Sequence, residues 1–308
     1  MECTPQELTA STAAPPARFN STIAATAQNR LLGLYTKRPL KRVAIGVVTY
    51  NNPVEDLCRL LSTATAALSR ADAAPGSGIL MLDNGVPTSS TVIGKVPVRL
   101  LPPVGNIGFG PGQNRIMSIA FAEGADIYIA ANPDGAFHPN AVSALLHMMQ
   151  AHRDEILMEA TQFPEEHPKE YDPFTFETPW ASGACLAVPR GMYEEIGGFD
   201  ENFFLYCEDV DLSWRARAAG FRVKICPRAF FLHSVTNRLP SISTRCHYLT
   251  SGVILARKWR CAPFEAALLQ ELEELELSPP DCWPPAVPEE WADIPDFSHL
   301  FSFAPARW

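Results

Sequence analysis

From residue 42 onward, short β-branched runs alternate with longer amphipathic stretches. "RVAIGVVTY", 42–50, is a continuous apolar run closed by "NNP", which predicts a strand buried on both faces. Behind it, Val54, Leu57, Leu61, Ala64 and Leu68 fall on one stripe of a helix. "GILMLDNG" and "VPVRLL" predict two further strands, and "GPGQNRIMSIAFAEG" opens with glycines before becoming helical. The strand "ADIYIAANPDG", the helix "NAVSALLHMMQAH" and the strand "EILMEA" complete the first half. Strands alternating with helices predict an α/β fold with a mixed, mainly parallel sheet and helices on both faces. Ligands of such sheets bind beyond the carboxyl ends of the strands. Here those ends carry Thr49, Asp83, the 105–114 loop and Asn132-Pro133-Asp134.

After residue 160 the pattern loosens. "FPEEHPKEYDPFTFETPW" reads as a long irregular connection, a length that usually serves function or motion. It is followed by "ASGACLAVPRGMYEEIGGF", an acid-headed helix and two strand-like pieces, "FRVKICP" and "AFFLHS". An apolar-basic helix near 243–260 and the charged helix "FEAALLQELEELEL" come next. Of 28 prolines, those from position 279 onward predict an extended acidic tail rather than a second domain. The expected organisation is a leader, 1–40, that packs little, one domain over 41–262, and a helical, Pro-rich extension over 263–308.

Charge narrows the function. A net −9, from 25 Lys+Arg against 34 Asp+Glu, argues against a nucleic-acid binder, which needs a basic face. A nucleotide bridged by a divalent cation stays open. The cysteines at 3, 58, 185, 207, 226, 246, 261 and 282 show no paired spacing and read as reduced thiols. No apolar run reaches membrane-spanning length. Glu2 and Glu7, with no apolar h-region, argue against a secretory signal or transit peptide. The expectation is a cytoplasmic protein.

"FFLYCEDVDLSWRARAAGF", 203–221, sets Glu208, Asp209 and Asp211 at the start of a helix. Asp209 heads the stripe of Leu212, Ala216 and Ala219, so it aims inward, where a carboxylate at a cleft can act as a general base. Asp211 precedes Arg215 by four residues, the spacing of an outward ion pair. The plainer reading is a helix start dressed with acids that favour its dipole. "GNIGFGPGQN", 105–114, lets backbone approach a phosphate closely or forms a tight structural loop. It does not occupy the first strand-to-helix turn, which disfavours a nicotinamide dehydrogenase. Asp134, in "ANPDGAF", is either a Mg²⁺ or Mn²⁺ ligand at a strand end or part of an Asn-Pro-Asp-Gly turn. Asp83 has the same two readings, and His233 follows an apolar strand.

In chain order, "VVTYNN", "LDNG", "GNIGFGPGQNR", "NPDG", "SGACLAVPR", "GGFDENFFLYCEDVDLSWRARAAGFRV" and "LHS" resemble the family 2 glycosyltransferases of the GT-A fold, most closely the rhamnosyltransferase-like branch. The resemblance implies an inverting transfer of a sugar, rhamnose among the candidates, from a dTDP- or UDP-sugar donor. The acceptor would be a hydroxyl of a glycan or lipid-linked glycan in cell-surface polysaccharide synthesis. Thr49 would lie near the nucleotide, Asp83 would accept from the base N3–H, and Gly108, Asn114 and Arg115 would approach ribose, diphosphate or sugar. Asp134 would be the surviving acid of the metal-binding Asp-x-Asp motif, with Asn132 in the first position, and His233 would complete the metal or diphosphate contact. Asp209 would be the base, with Glu208 orienting the acceptor or the base. The substitution at Asn132 also admits a non-catalytic GT-A module acting as a partner subunit. Ser251-Gly252 departs from the polar pair of relatives, which puts acceptor-side contacts there in question. Arg257, Lys258 and Arg260 read either as part of an amphipathic core helix or as a peripheral contact with an anionic membrane. Homo-oligomer formation stays open.

Overall fold

A computed structural model describes residues 39–85, 98–233 and 241–307. The expected leader, 1–40, falls almost wholly outside the described residues. Within 40–308 the elements run β1 (Val43–Thr49), α1 (Val54–Arg70), β2 (Gly78–Asp83), β3 (Val98–Leu100), α2 (Phe109–Ala122), β4 (Ile127–Ala131) and β5 (Ala136–Phe137). They continue with α3 (Ala141–Ala151), β6 (Ile156–Phe163), β7 (Cys185–Pro189), α4 (Arg190–Ile196), α5 (Glu208–Ala218), β8 (Arg222–Leu232), α6 (Ile242–Lys258) and α7 (Ala262–Glu274).

The strands form one sheet in the order β3-β2-β1-β4-β7-β6-β8-β5. Pairing is parallel throughout β3-β2-β1-β4 and between β6 and β8, while β7 runs antiparallel to both β4 and β6. Every residue of β1 is buried because the period-two side chains of a central strand meet a helix layer on each face. Val43, Ile45 and Val47 pack with Leu60 and Leu61 of α1 and Val142 and Leu145 of α3. Ala44 and Val48 pack on the other face with Ile116 and Met117 of α2, Met192 of α4 and Leu212 of α5.

Two expectations need correction. The core stripe of α1 is Leu57, Leu60, Leu61, Ala64 and Ala67, whereas Val54 is exposed and Leu68 half-buried. The buried face is centred on Leu60–Leu61, so Val54 falls outside it while Leu68 packs against its edge. "FRVKICP" and "AFFLHS" are one strand, β8, whose register to β6 shifts between Ala160 and Thr161. The bulge takes up Pro227, which has no N–H to give to a ladder. Of the two readings of Arg257, Lys258 and Arg260, the amphipathic core helix holds for the first two, while Arg260 is exposed beside Glu289. Arg257 is buried against Glu265, donates to the Pro280 and Cys282 carbonyls and stacks on Trp283, and Lys258 is buried between two aspartates.

A third apolar cluster fixes the position of α5. Phe203, Val210 and Trp214 pack with Leu249, Val253 and Trp259 of α6, Phe264 and Leu268 of α7, and Val287, Phe303 and Ala304 of the tail. Gly252 is part of this seam: a Cβ there would lie 2.5 Å from Leu268 Cδ1 and 2.8 Å from Phe301 Cε1. Its neighbour Ser251 donates to the Leu205 carbonyl at 2.7 Å, bracing the loop before α5. Both residues therefore serve helix packing. Among the described residues, no helix is long and apolar enough to cross a membrane.

Candidate active site

The parallel register of β1 and β2 sets Thr49 opposite Asp83 at the carboxyl ends of both strands. Asp83 Oδ1 accepts from the Gly85 N–H at 2.9 Å, and the Asn84 N–H donates to the Thr49 carbonyl. Thr49 Oγ1 and Asn84 Oδ1 are buried without a hydrogen-bond partner among the described residues. Unmatched buried polar atoms cost free energy and concentrate where a ligand completes the site. Asn84 Nδ2 donates to the Gly108 carbonyl at 2.9 Å, so the glycine loop lies against the β2 tip.

That loop is bound more by protein than the sequence suggested. Gly108 has φ +91°, and a Cβ there would sit 2.3 Å from the Phe204 carbonyl oxygen, which accepts from the Phe109 N–H. Only glycine fits this approach. Asn114 uses both ends of its amide on the 198–201 loop, donating to the Phe199 carbonyl and accepting from the Phe199 N–H, each at 2.8 Å. Arg115 is exposed on α2.

Asn132 to Gly135 form the tight turn their residue types prescribe, with the Gly135 N–H reaching the Asn132 carbonyl at 3.2 Å. The same turn brings Asp134 Oδ1 to 3.6 Å from His233 Nε2. His233 Nδ1 lies 2.9 Å from Gln162 Oε1, and its Nε2 lies 3.3 Å from Asn132 Nδ2. An oxygen of Asp134 and a nitrogen of His233 therefore lie side by side. Among the described residues, no group of three or more His, Cys, Asp or Glu side chains converges on a metal-sized site. From α1, Arg59 reaches the Asp134 carbonyl at 2.8 Å.

The acid cluster of α5 separates into three roles. Asp211 is fully buried; it makes the pair with Arg215 that its spacing predicts, but inside the protein rather than outward. Arg215 Nε reaches its Oδ2 at 2.8 Å, while Lys258 Nζ at 2.8 Å and Trp259 Nε1 at 3.0 Å reach its Oδ1. Arg215 also donates to the Ile196 and Gly198 carbonyls, so this aspartate ties three segments together. Glu208 is buried with Oε2 unpartnered, and burial, reinforced by the Asp209 charge, holds its pKa well above the ordinary value. Asp209 is half-buried, with its pKa raised by burial against opposing hydrogen bonds and the Lys169 charge. Its Oδ2 accepts from the Gly183 N–H at 2.8 Å and its Oδ1 from the Val210 N–H at 2.9 Å. A carboxylate moved up toward neutral pH suits a general base.

Asp209 and the Asn132–Asp134 turn are joined by very little chain. Gly183 holds Asp209, and the carbonyl of the next residue, Ala184, accepts from the Asn132 N–H at 2.9 Å. The loop leading into α5 is bent, with Tyr206 and Cys207 both in the left-handed region at φ +71° and +66°. Two successive non-glycine residues there store strain, a feature that clusters at functional sites. Tyr206 stacks on Tyr248 of α6 with centroids 3.8 Å apart, and burial pushes the Tyr248 hydroxyl up to about 12.

Two ionisable residues near Asp209 had escaped notice in the sequence. Glu159, inside β6, accepts from Lys169 Nζ at 2.8 Å and from the Ser182 N–H. Lys169 had no signal, since it lies in the aperiodic 164–184 crossing. Glu159 had a weak one, an acid within an apolar strand.

This arrangement is the GT-A fold of nucleotide-sugar glycosyltransferases. The protein aligns with mannosyltransferase PcManGT from Pyrobaculum calidifontis in complex with GDP-Man and Mn²⁺ at a TM-score of 0.52 and 14% identity, covering 82% of this chain and 85% of that one. It aligns with GalNAc-T7 with UDP, GalNAc and Mn²⁺ at 0.51 and 12% identity, covering 79% and 56%. No family model matches the chain. An N-acetylglucosaminyl-diphospho-decaprenol L-rhamnosyltransferase of Mycobacterium tuberculosis is 30% identical over 273 residues, 72% of this chain and 87% of the relative. The chain belongs to the rhamnosyltransferase-like family 2 glycosyltransferases and is a nucleotide-sugar-dependent enzyme of that class.

Proposed function

We propose that the protein transfers a rhamnosyl group from a dTDP- or UDP-linked donor to a hydroxyl of a lipid-linked or glycan acceptor, with inversion at the anomeric carbon. The Mycobacterium tuberculosis relative, named for a sugar-diphospho-prenol acceptor, supports this substrate class. Thr49, Asp83 and the 105–114 loop hold the nucleotide end. Asp209 takes the acceptor O–H proton as the new O–C1 bond forms, and the old C1–O electron pair leaves with the nucleoside diphosphate. Glu208, whose pKa burial and the Asp209 charge hold well above the ordinary carboxylate value, stands beside it and orients the acceptor or the base. The observation that carries the reading is Asp209 held by the Gly183 N–H at 2.8 Å, on the strap whose next residue, Ala184, accepts from the Asn132 N–H.

The carboxylate of Asp134 and the imidazole of His233, 3.6 Å apart, are donor types that fit a divalent cation. They would hold Mg²⁺ or Mn²⁺ with donor oxygens and water in the other positions. When bound, the ion supplies positive charge against the departing diphosphate.

Substituting Asp209→Asn and measuring nucleoside diphosphate release tests this. The assay contains dTDP-L-rhamnose, Mn²⁺ and a short-chain prenyl-diphospho-N-acetylglucosamine. The expected loss of turnover is about 10²–10⁴-fold, with calorimetric binding of dTDP unchanged. Wild-type turnover in the variant would remove the base. A second reading, a nucleotide-binding partner subunit without turnover, is favoured by Asn132 Nδ2 lying 3.3 Å from the His233 nitrogen that a cation would use. Nucleotide binding with no product release from any donor would decide for it.

A further inference from the structure

The irregular crossing between β6 and β7 delivers one cation into the interior beside the base. Lys169 is fully buried, with Nζ 2.8 Å from Glu159 Oε2 and 3.8 Å from the centroid of the Trp180 ring. Glu159 in turn accepts from the N–H of Ser182, and the N–H of the next residue, Gly183, is the one that holds Asp209. Two carboxylates thus grip two consecutive amides of one strap. The ionisable groups facing Asp209 are Glu208 and Cys207 on its own segment, Tyr248 of α6, and Glu159 and Lys169. All but Lys169 are acids.

We propose that Lys169 and Glu159 are a positioning pair for the base, acting on Asp209 through the Ser182–Gly183 backbone and through the Lys169 charge. This rests on Asp209 being the base. A buried ammonium and carboxylate are each costly alone and tolerable together. The Lys169 charge offsets that of Glu159 beside the strap; without it, a second uncompensated acid faces Asp209. Burial raises the Glu159 pKa and lowers that of Lys169, and each is opposed by the other's charge, which is the behaviour of a mutually dependent pair. Trp180 caps the ammonium, and its own Nε1 is fixed on the Ser302 carbonyl at 2.8 Å, so the tail helps exclude water from the pair.

The test compares K169M, the double variant K169M/E159Q and wild type in the full chain. It reads dTDP release from dTDP-L-rhamnose with Mn²⁺ and short-chain prenyl-diphospho-N-acetylglucosamine across pH. In K169M the rate at neutral pH falls roughly tenfold and the acid limb moves to higher pH. The donor KM stays unchanged. In the double variant the limb returns toward wild type, because the amide oxygen introduced by E159Q still accepts from Ser182 without carrying a charge. A K169M limb that superposes on wild type overturns the pair, as does a double variant that tracks K169M. If K169M does not fold, the double variant decides alone: folded and active with the wild-type limb supports the pair, folded and inactive overturns it. Urea unfolding gives a readout without turnover: the stability deficit of K169M grows as pH rises from 5 to 8, and a pH-independent deficit overturns the proposal. D209N separates the two levels. An inactive D209N with an unmoved K169M limb sinks the pair only, whereas an active D209N sinks the base.

Discussion

Asp211→Asn separates the scaffolding acid from the proposed base within a single helix turn. The wild-type carboxylate has no exposed surface and receives Arg215, Lys258 and the Trp259 indole N–H at 2.8–3.0 Å. Asparagine keeps the shape and one acceptor oxygen, but its NH₂ must face Arg215 or Lys258, donor against donor. Arg215 retains the Ile196 and Gly198 carbonyls and Lys258 retains Asp200, so both cations lose part of their compensation. Removing one partner of a buried pair costs about 3–5 kcal/mol. The retained contacts put this variant near the lower figure, roughly 3 kcal/mol, which lowers Tm by about 6–12 °C for a domain of this size. Urea unfolding and thermal melts measure it, alongside calorimetry with dTDP and Mn²⁺ below the transition. Stability reduced with nucleotide affinity retained is the expected result. A stability change within about 0.5 kcal/mol, the range of ordinary surface substitutions, would refute the buried hub.

Glu208→Gln carries a pH signature. The folded pKa of Glu208 lies well above its ordinary 4.5. The native state therefore binds this proton more tightly than the unfolded chain, and wild-type stability falls as pH rises from about 4.5 through the raised value. Glutamine has no such loss, so its stability advantage in urea unfolding should widen between pH 5 and pH 8; a constant difference contradicts the buried, raised acid. His233→Ala removes the nitrogen at the Asp134 point and should weaken Mn²⁺-dependent dTDP binding by about 10–100-fold while metal-free binding changes little. Equal losses with and without Mn²⁺ would assign His233 to the nucleotide instead.

Much of the fold was legible because burial leaves a period in the sequence. The apolar run 43–49, the stripe around Leu57 and Leu61 and the glycines before α2 each follow from local geometry, and the α/β alternation follows from their order. The half-buried place of Asp209 at the head of α5 was legible from its position ahead of Leu212 and Ala216. Asp211 was not, because spacing pairs it with Arg215 but says nothing of Lys258, which arrives from a helix 47 positions later. The same holds for Arg257 and Lys258, whose basic appearance is cancelled by acids and carbonyls brought in from α5, α7 and the tail.

The amino-acid order fixed which residues had to be buried and which turns had to bend, because side-chain period and backbone preference act within a few residues of their origin. It also placed candidate acids at strand tips and at the head of a helix. Packing alone determined their surroundings: Asp211 locked among cations, Glu208 buried with its pKa raised, Asp209 held on the Gly183 amide, and Lys169 carried in by a crossing with no period. The reason is the dielectric. A carboxylate's proton affinity depends on the charges and water within a few ångströms, and those neighbours come from parts of the chain that meet only when it folds.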